Sequence, residues 1–295
     1  EQTIWLARDF SGVKPLYYSV EPNRIAFGSE VEPVRRLISL NEISQDSLSF
    51  YLRYGYTPPG LSIIKNLLKV NPGQILKIEF NHTVKLEAKE IPIKFRSGFS
   101  LDDPKEIRKT LEKEVSKQMI SEVPVGCFLS GGIDSSIITY LASLKSPNIT
   151  AFTSEFISSD SYLKFNDDLI KARSFAKLLG IRHETVTIDE NSKELSGDYL
   201  KWASMLDEPQ ANNTGFSAYL VAKRANQMGI KVLLSGDGAD EVFGGYPRYR
   251  NAMILQLAKP ILKYNSKYRA YYKDSLTESY LRNYQLYGDD LFKLI

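Results

Sequence analysis

Between residues 104 and 235, four short strand-like runs alternate with helical segments. No other feature of the 295-residue chain restricts its fold as much. The runs are 125–129, 149–153, 183–188 and 230–235, each short and rich in apolar or β-branched side chains. Helical periodicity separates them. Over 104–120 the apolar residues Ile107, Leu111, Val115 and Met119 recur every fourth position and form one stripe. Further helices are predicted from Asp134 to about Leu144, over 168–179 with a stop at Gly180, and near 193–206 and 215–228. Apolar strands alternating with helices imply a parallel sheet covered on both faces. The stretch from Tyr246 onward is predicted helical and is rich in Tyr and Lys.

The first ninety-odd residues have a different texture. Runs at 3–7, 15–20 and 24–28 are β-rich and separated by turn residues, and two alternating runs after Asn71-Pro72-Gly73 form a predicted hairpin. Two helices interrupt them. Ser29 with Glu32 has capping-box spacing before one, and Ser44 or Asp46 starts the other. From Pro92 to Pro104 the chain has no period and is rich in Gly, Pro and Ser, so the domain boundary is placed there, giving domains 1–95 and 96–295.

Composition narrows the function. Hydrophobic residues at 43% and charged residues at 25% describe a folded globular chain, and a net charge of +3 is too small for the basic footprint of a duplex-binding domain. No run of 18 apolar residues and no secretory layout occur, and the single Cys127 closes no intrachain disulfide, which predicts a cytoplasmic protein. With one Cys and two His there is no zinc-type cluster. Cys127 lies mid-strand in an apolar run and reads as a buried structural thiol, and His183 reads as a strand residue and not as a base.

The sharpest chemical feature is Ser130-Gly131-Gly132-Ile133-Asp134-Ser135-Ser136, between a predicted strand and a predicted helix. Two glycines let backbone N–H groups approach an anion, and Ser135 and Ser136 add hydroxyl donors at the positive end of the helix. Asp134 is itself negative, so its role is to recruit the Mg²⁺ that phosphates bring. No Gly-x-x-x-x-Gly-Lys-Ser/Thr is present, so the loop is not of the Walker type. A second segment, 233–246, puts Asp237, Asp240 and Glu241 within five residues on a glycine-rich loop, where mutual repulsion calls for a cation or a proton.

The stretch 123–136 resembles the pyrophosphate loop of N-type ATP pyrophosphatases, and its flanks resemble asparagine synthetases. The resemblance implies an α/β fold: a parallel-sheet synthetase domain like the adenine nucleotide alpha hydrolases, preceded by part of a β-rich N-terminal nucleophile glutaminase domain. It implies ATP and Mg²⁺ as cofactors, and Asp134 and Asp240 as the shared metal ligands. Asp237 stands where the family has a glutamate implicated in adenylation and amide formation. Leu129, Ser154, Ser235 and Gly236 fall where members hold adenosine through backbone groups. Residues 7–19, 27–31 and 54–59 are similar to the end of the family's glutaminase domain, and Asp207-Glu208-Pro209 also matches.

The implied reaction converts aspartate to β-aspartyl-AMP with release of pyrophosphate, and ammonia, drawn from glutamine in the full-length enzyme, then displaces AMP. Several departures keep alternatives open. A Thr-Thr-x-Arg element of the aspartate-using enzymes is absent, the stretch 210–215 reading Gln-Ala-Asn-Asn-Thr-Gly, so another carboxylate such as a sugar acid is an alternative acceptor. A glutaminase of this class needs an N-terminal Cys, so the chain as given, starting at Glu1, is expected to have no glutaminase activity. The chain also stops at Ile295, before a later basic residue that neutralises pyrophosphate in the family. A non-catalytic nucleotide-binding module is the alternative from another class. Sulfur-inserting tRNA enzymes, which also use pyrophosphate loops, would require reactive cysteines or a basic face. The expected partners are small molecules, with no nucleic acid and no membrane, and a homodimer is left open.

Overall fold

The computed structural model describes residues 2–81, 83–90, 103–157, 163–189, 191–212, 214–247, 249–251, 253, 254 and 257. Contacts divide them into two units. One runs from the amino terminus through the hairpin and takes in the detached segment Leu206–Asn212, and the other holds the remaining elements. The expected boundary at 92–104 falls largely outside the described residues, as do His82 and nearly all of the helical stretch expected beyond Tyr246.

The amino-terminal unit contains two antiparallel sheets. Strand β1 (Gln2–Ala7) pairs with β5 (Gln74–Asn81), which pairs with β6 (Thr83–Glu90) as the expected hairpin. In the second sheet β2 (Tyr17–Glu21) lies between β3 (Arg24–Gly28) and β4 (Leu68–Lys69). The register sets Leu6 opposite Leu76 and Ile4 opposite Ile78, which with Tyr18 and Val70 form one small core. Helix α1 (Val31–Leu37) contributes Val31 and Val34 to a second core with Tyr17 and Leu67. Helix α2 (Gln45–Tyr54) is capped by the Ser44 hydroxyl, which accepts from the Ser47 amide, and ends at Gly55 in the left-handed conformation.

The cap expected on α1 is not Ser29. The cap position is Glu30, whose side chain makes no capping bond, and Glu32 instead pairs with Arg35 and Arg36. The Val31 amide donates to Asp207 Oδ1 at 2.7 Å, a carboxylate from the detached segment. Glu208 does the same for another loop, its Oε2 accepting from the Ile63 amide at 3.0 Å. The Glu208 carboxylate also faces the half-buried Lys69, whose ammonium lies 3.9 Å from Oε1 and donates to Thr57 Oγ1 at 2.7 Å. Burial lowers the pKa of Lys69, and the charge of Glu208 opposes that shift. The Ala211 amide donates to the Gly55 carbonyl at 3.1 Å. Residues 206–212 are therefore an integral part of this unit.

The second unit is the expected parallel α/β layer structure. Its sheet runs β10–β7–β8–β9, with β7 (Val125–Phe128), β8 (Thr150–Ile157), β9 (Arg182–Asp189) and β10 (Val232–Leu234) all parallel to their neighbours. The helices are α3 (Pro104–Gln118), α4 (Ile133–Ser143), α5 (Leu163–Leu179), α6 (Lys193–Ser204), α7 (Thr214–Gln227) and the short α8 (Ala239–Phe243). Cys127, Leu129, Ile149 and Ala151 pack with Val115, Leu141, Ala172 and Ala176 in one core cluster, and Phe152 packs with Val221, Ala225 and Ile230 in another. Strand β10 is shorter than the run 230–235 because the Ile230 amide still closes the end of α7 by donating to Ala225 at 2.9 Å. Among the described residues no helix is long and apolar enough to cross a membrane.

Removing the borrowed caps tests the role of the detached segment. Asp207→Ala leaves one helix-start amide without its partner and is expected to cost about 1 kcal/mol. Glu208→Ala also strips a half-buried ammonium of its counter-charge and is expected to cost more, about 2–3 kcal/mol. Hydrogen exchange at the Val31 and Ile63 amides checks both, with β7 and β8 unchanged.

Candidate active site

Parallel strands place their following loops along one edge of the sheet, and the pairing of β7 with β10 makes two of those loops neighbours. Leu129 follows β7, fully buried, its N–H donating to Phe152 O and its carbonyl accepting from the Thr153 hydroxyl. Ser130 to Gly132 then turn the chain into α4, with Gly131 at φ +76. That glycine is required twice over. Its φ disfavours a side chain, and a Cβ would overlap the carbonyl of Asp168 on α5.

The loop is closed by its own hydroxyls. Ser135 Oγ accepts from the Ser130 amide at 3.1 Å, lies 2.9 Å from Ser130 Oγ, and contacts Gly132 O at 3.3 Å. Ser135 is buried and its hydroxyl bonds within the loop, at the place where a donor role toward phosphate is expected from sequence. Ser136 is half-buried and lines a cavity with Gly131, Gly132 and Tyr140. Helix α4 has no side-chain cap, its cap residue being Gly132, so its first-turn amides are not used by a capping side chain.

The loop after β10 lies against the start of α4. A Cβ added to Gly236 would be 2.7 Å from the Ser135 amide nitrogen and 2.9 Å from Asp134 Cβ. The two loops therefore meet with no room for a side chain between them. Asp134 and Asp240 approach closely enough that the charge of Asp240, after burial, raises the pKa of Asp134. Such a shift means the folded chain favours the protonated carboxyl. Stability held at low pH is lost as pH rises through the folded pKa, unless a cation compensates. The three carboxylates of the second loop do not converge: Glu241 accepts from the Tyr246 hydroxyl at 3.1 Å, while Asp237 lines a cavity of about 450 Å³ with Asp134, Ser235 and Gly236. Apolar side chains of α3, α4 and α8, among them Leu111, Ile137 and Phe243, line the rest of that cavity.

Among the described residues no three His, Cys, Asp or Glu side chains gather as a metal cluster. Asp134 and Asp240, near enough for the charge of one to act on the other, are of a type that suits an oxygen-seeking divalent ion that keeps further positions for phosphate or water. Ser154 lies on β8 and is half-buried, and the Ser235 hydroxyl accepts from the Asp237 amide at 3.4 Å. Cys127 is fully buried, and burial pushes its thiol up to about 11, which leaves it unreactive. His183 Nε2 lies 2.8 Å from Thr153 Oγ1 within the sheet, and burial lowers its pKa.

Two contributors were not anticipated from sequence. Thr153 ties Leu129 to His183 with a buried hydroxyl. Gly245 leaves the space that Asp240 occupies, since a Cβ there would overlap the Asp240 carboxylate. The second glycine of the Gly244-Gly245 pair was the available signal.

A glycine-serine strand–loop–helix turn beside two aspartates, at the carboxyl edge of a parallel sheet, defines an α/β protein with its candidate site where the strand loops gather. Residues 106–292 match the asparagine synthase family, 187 of the 295 residues, and the chain belongs to that family. Residues 1–88 match the glutamine amidotransferase domain. Asparagine synthetase [glutamine-hydrolyzing] 1 of Bacillus subtilis is 31% identical over 87% of this chain and 39% of its own length. Putative asparagine synthetase [glutamine-hydrolyzing] 2 of Methanocaldococcus jannaschii is 31% identical over 88% of this chain and 50% of its own length. The chain thus spans two-fifths to half of these curated relatives. Among solved structures, an NMN synthetase from Francisella tularensis matches at 22% identity with a TM-score of 0.33, covering 49% of this chain and 58% of that one.

Gly236→Ala tests the contact between the loops. Its methyl would press on backbone atoms that cannot rotate away, so nucleotide binding is expected to weaken at least tenfold with little change in the cooperativity of unfolding, measured by calorimetric titration and circular dichroism.

Proposed function

We propose that the full-length protein is an ATP-dependent amide-forming ligase that activates a carboxylate as its adenylate, releases pyrophosphate, and passes the acyl group to ammonia. Aspartate is the acceptor indicated by the names of the relatives, and glutamine is the nitrogen source indicated by the amidotransferase match. One observation carries the reading: where a glycine-serine loop meets a helix start, Gly236 of the second loop abuts Asp134 with no room for a side chain, and the charge of Asp240 on that loop reaches Asp134.

In this reading the amides of Gly131, Gly132 and the first turn of α4 bind the β- and γ-phosphates. Mg²⁺, when bound, neutralises the phosphate charge and the repulsion within the pair. Asp134 and Asp240 hold that ion in place. Ser135 keeps the cradle in shape through Ser130. Asp237, which lines one cavity with Asp134, orients the attacking carboxylate or the incoming ammonia. Backbone groups of Leu129, Ser154, Ser235 and Gly236 take the adenosine.

Pyrophosphate exchange into ATP on the full-length protein isolates adenylation from ammonia delivery. Asp134→Asn and Asp240→Asn are each expected to lower the exchange rate about a hundredfold or more, since a site built on charge stabilisation loses roughly 3 kcal/mol of transition-state binding. Exchange near the parent rate in both variants would refute the shared-ion reading. Asp134→Asn is also expected to leave the metal-free melting temperature at pH 7 equal or higher, because it removes a carboxylate that the fold disfavours in its charged form.

A further inference from the structure

The two loops that form the cradle, 130–136 and 235–245, carry Asp134, Asp237, Asp240 and Glu241 and neither Lys nor Arg. A pyrophosphate leaving group adds several more negative charges to that region. The family resemblance implies one basic residue for that group from a later segment; it and one divalent ion do not offset all the charge, and cations aimed at the place where charge develops are the usual means of stabilising such a group. Helix α5 brings a cation to the loop. A Cβ at Gly131 would lie 3.0 Å from Lys171 Cβ and 3.1 Å from the Ala172 nitrogen, so Lys171 starts from the glycine of the cradle. Its ammonium is tethered to Asp168 Oδ1 at 3.2 Å, with the side chains 63% and 49% exposed. An exposed pair at helical spacing contributes little to stability, and a four-carbon stem allows the ammonium to leave it.

We propose that Lys171 is a pyrophosphate-binding residue. Its ammonium swings from Asp168 to the phosphate oxygens held at Ser130–Ser136 and neutralises the leaving group. The assignment rests on the adenylation reading above and adds to it a residue from α5, an element outside both signature loops.

The test is calorimetric binding of Mg-pyrophosphate to the full-length protein, followed by the exchange assay. Lys171→Met is expected to bind at least tenfold more weakly and to raise the KM for pyrophosphate by a similar factor, with the KM for the acceptor carboxylate unchanged. Lys171→Arg is expected to stay within about threefold of the parent. Lys177→Met removes another exposed charge from the same helix and is expected to have no effect. If Lys171→Met binds like the parent, or Lys177→Met loses as much, the assignment to Lys171 fails while the adenylation reading stands. If the parent neither binds Mg-pyrophosphate nor shows carboxylate-dependent exchange, the adenylation reading fails and the Lys171 assignment fails with it.

Discussion

The candidate site depends on one pairing, that of β10 beside β7. The two strands are more than a hundred positions apart in the chain, yet Val125 sits opposite Val232 and Cys127 opposite Leu234. Parallel neighbours send their loops out on the same edge, so this register brings Asp134 and Asp240 to a common place. Had β10 joined the far side of the sheet beside β9, the same two loops would sit three strands apart and carry no joint chemistry. The buried contacts around Phe152, Val221 and Ile230 hold that arrangement through apolar packing.

Much of this was legible in the sequence, because the information is local. The alternation of strand and helix, the hairpin, the left-handed stop at Gly180 and the strand-to-helix turn 130–136 each depend on residues within a turn or two of one another. What was not legible is contact across long separations. Nothing near Ser29 indicates that α1 takes its cap from Asp207, 176 positions away, and local capping-box spacing pointed to the wrong carboxylate. Ser135 shows the same limit. Its residue type fits a phosphate donor, but its burial and its bonds to Ser130 appear only once the loop is folded.

The buried polar groups of the sheet show how the site is kept rigid. Thr153 sits beneath the cradle, its hydroxyl engaged by Leu129 on one side and His183 on the other. A buried hydroxyl with both partners in place fixes the backbone more firmly than apolar packing alone, since each lost bond would leave a desolvated group behind. The histidine is thus a structural strut, and the thiol of Cys127 is packing.

The dependence of the amino-terminal unit on Leu206–Asn212 has a consequence for how the protein is made. A ribosome delivers β6 more than a hundred residues before it delivers Asp207 and Glu208. At ordinary synthesis rates that interval is on the order of ten seconds. During it, the amides of Val31 and Ile63 wait for acceptors not yet synthesised, and Lys69 waits for its counter-charge. The first unit to emerge is therefore not the first to finish, and its final locking is timed by the growth of its neighbour.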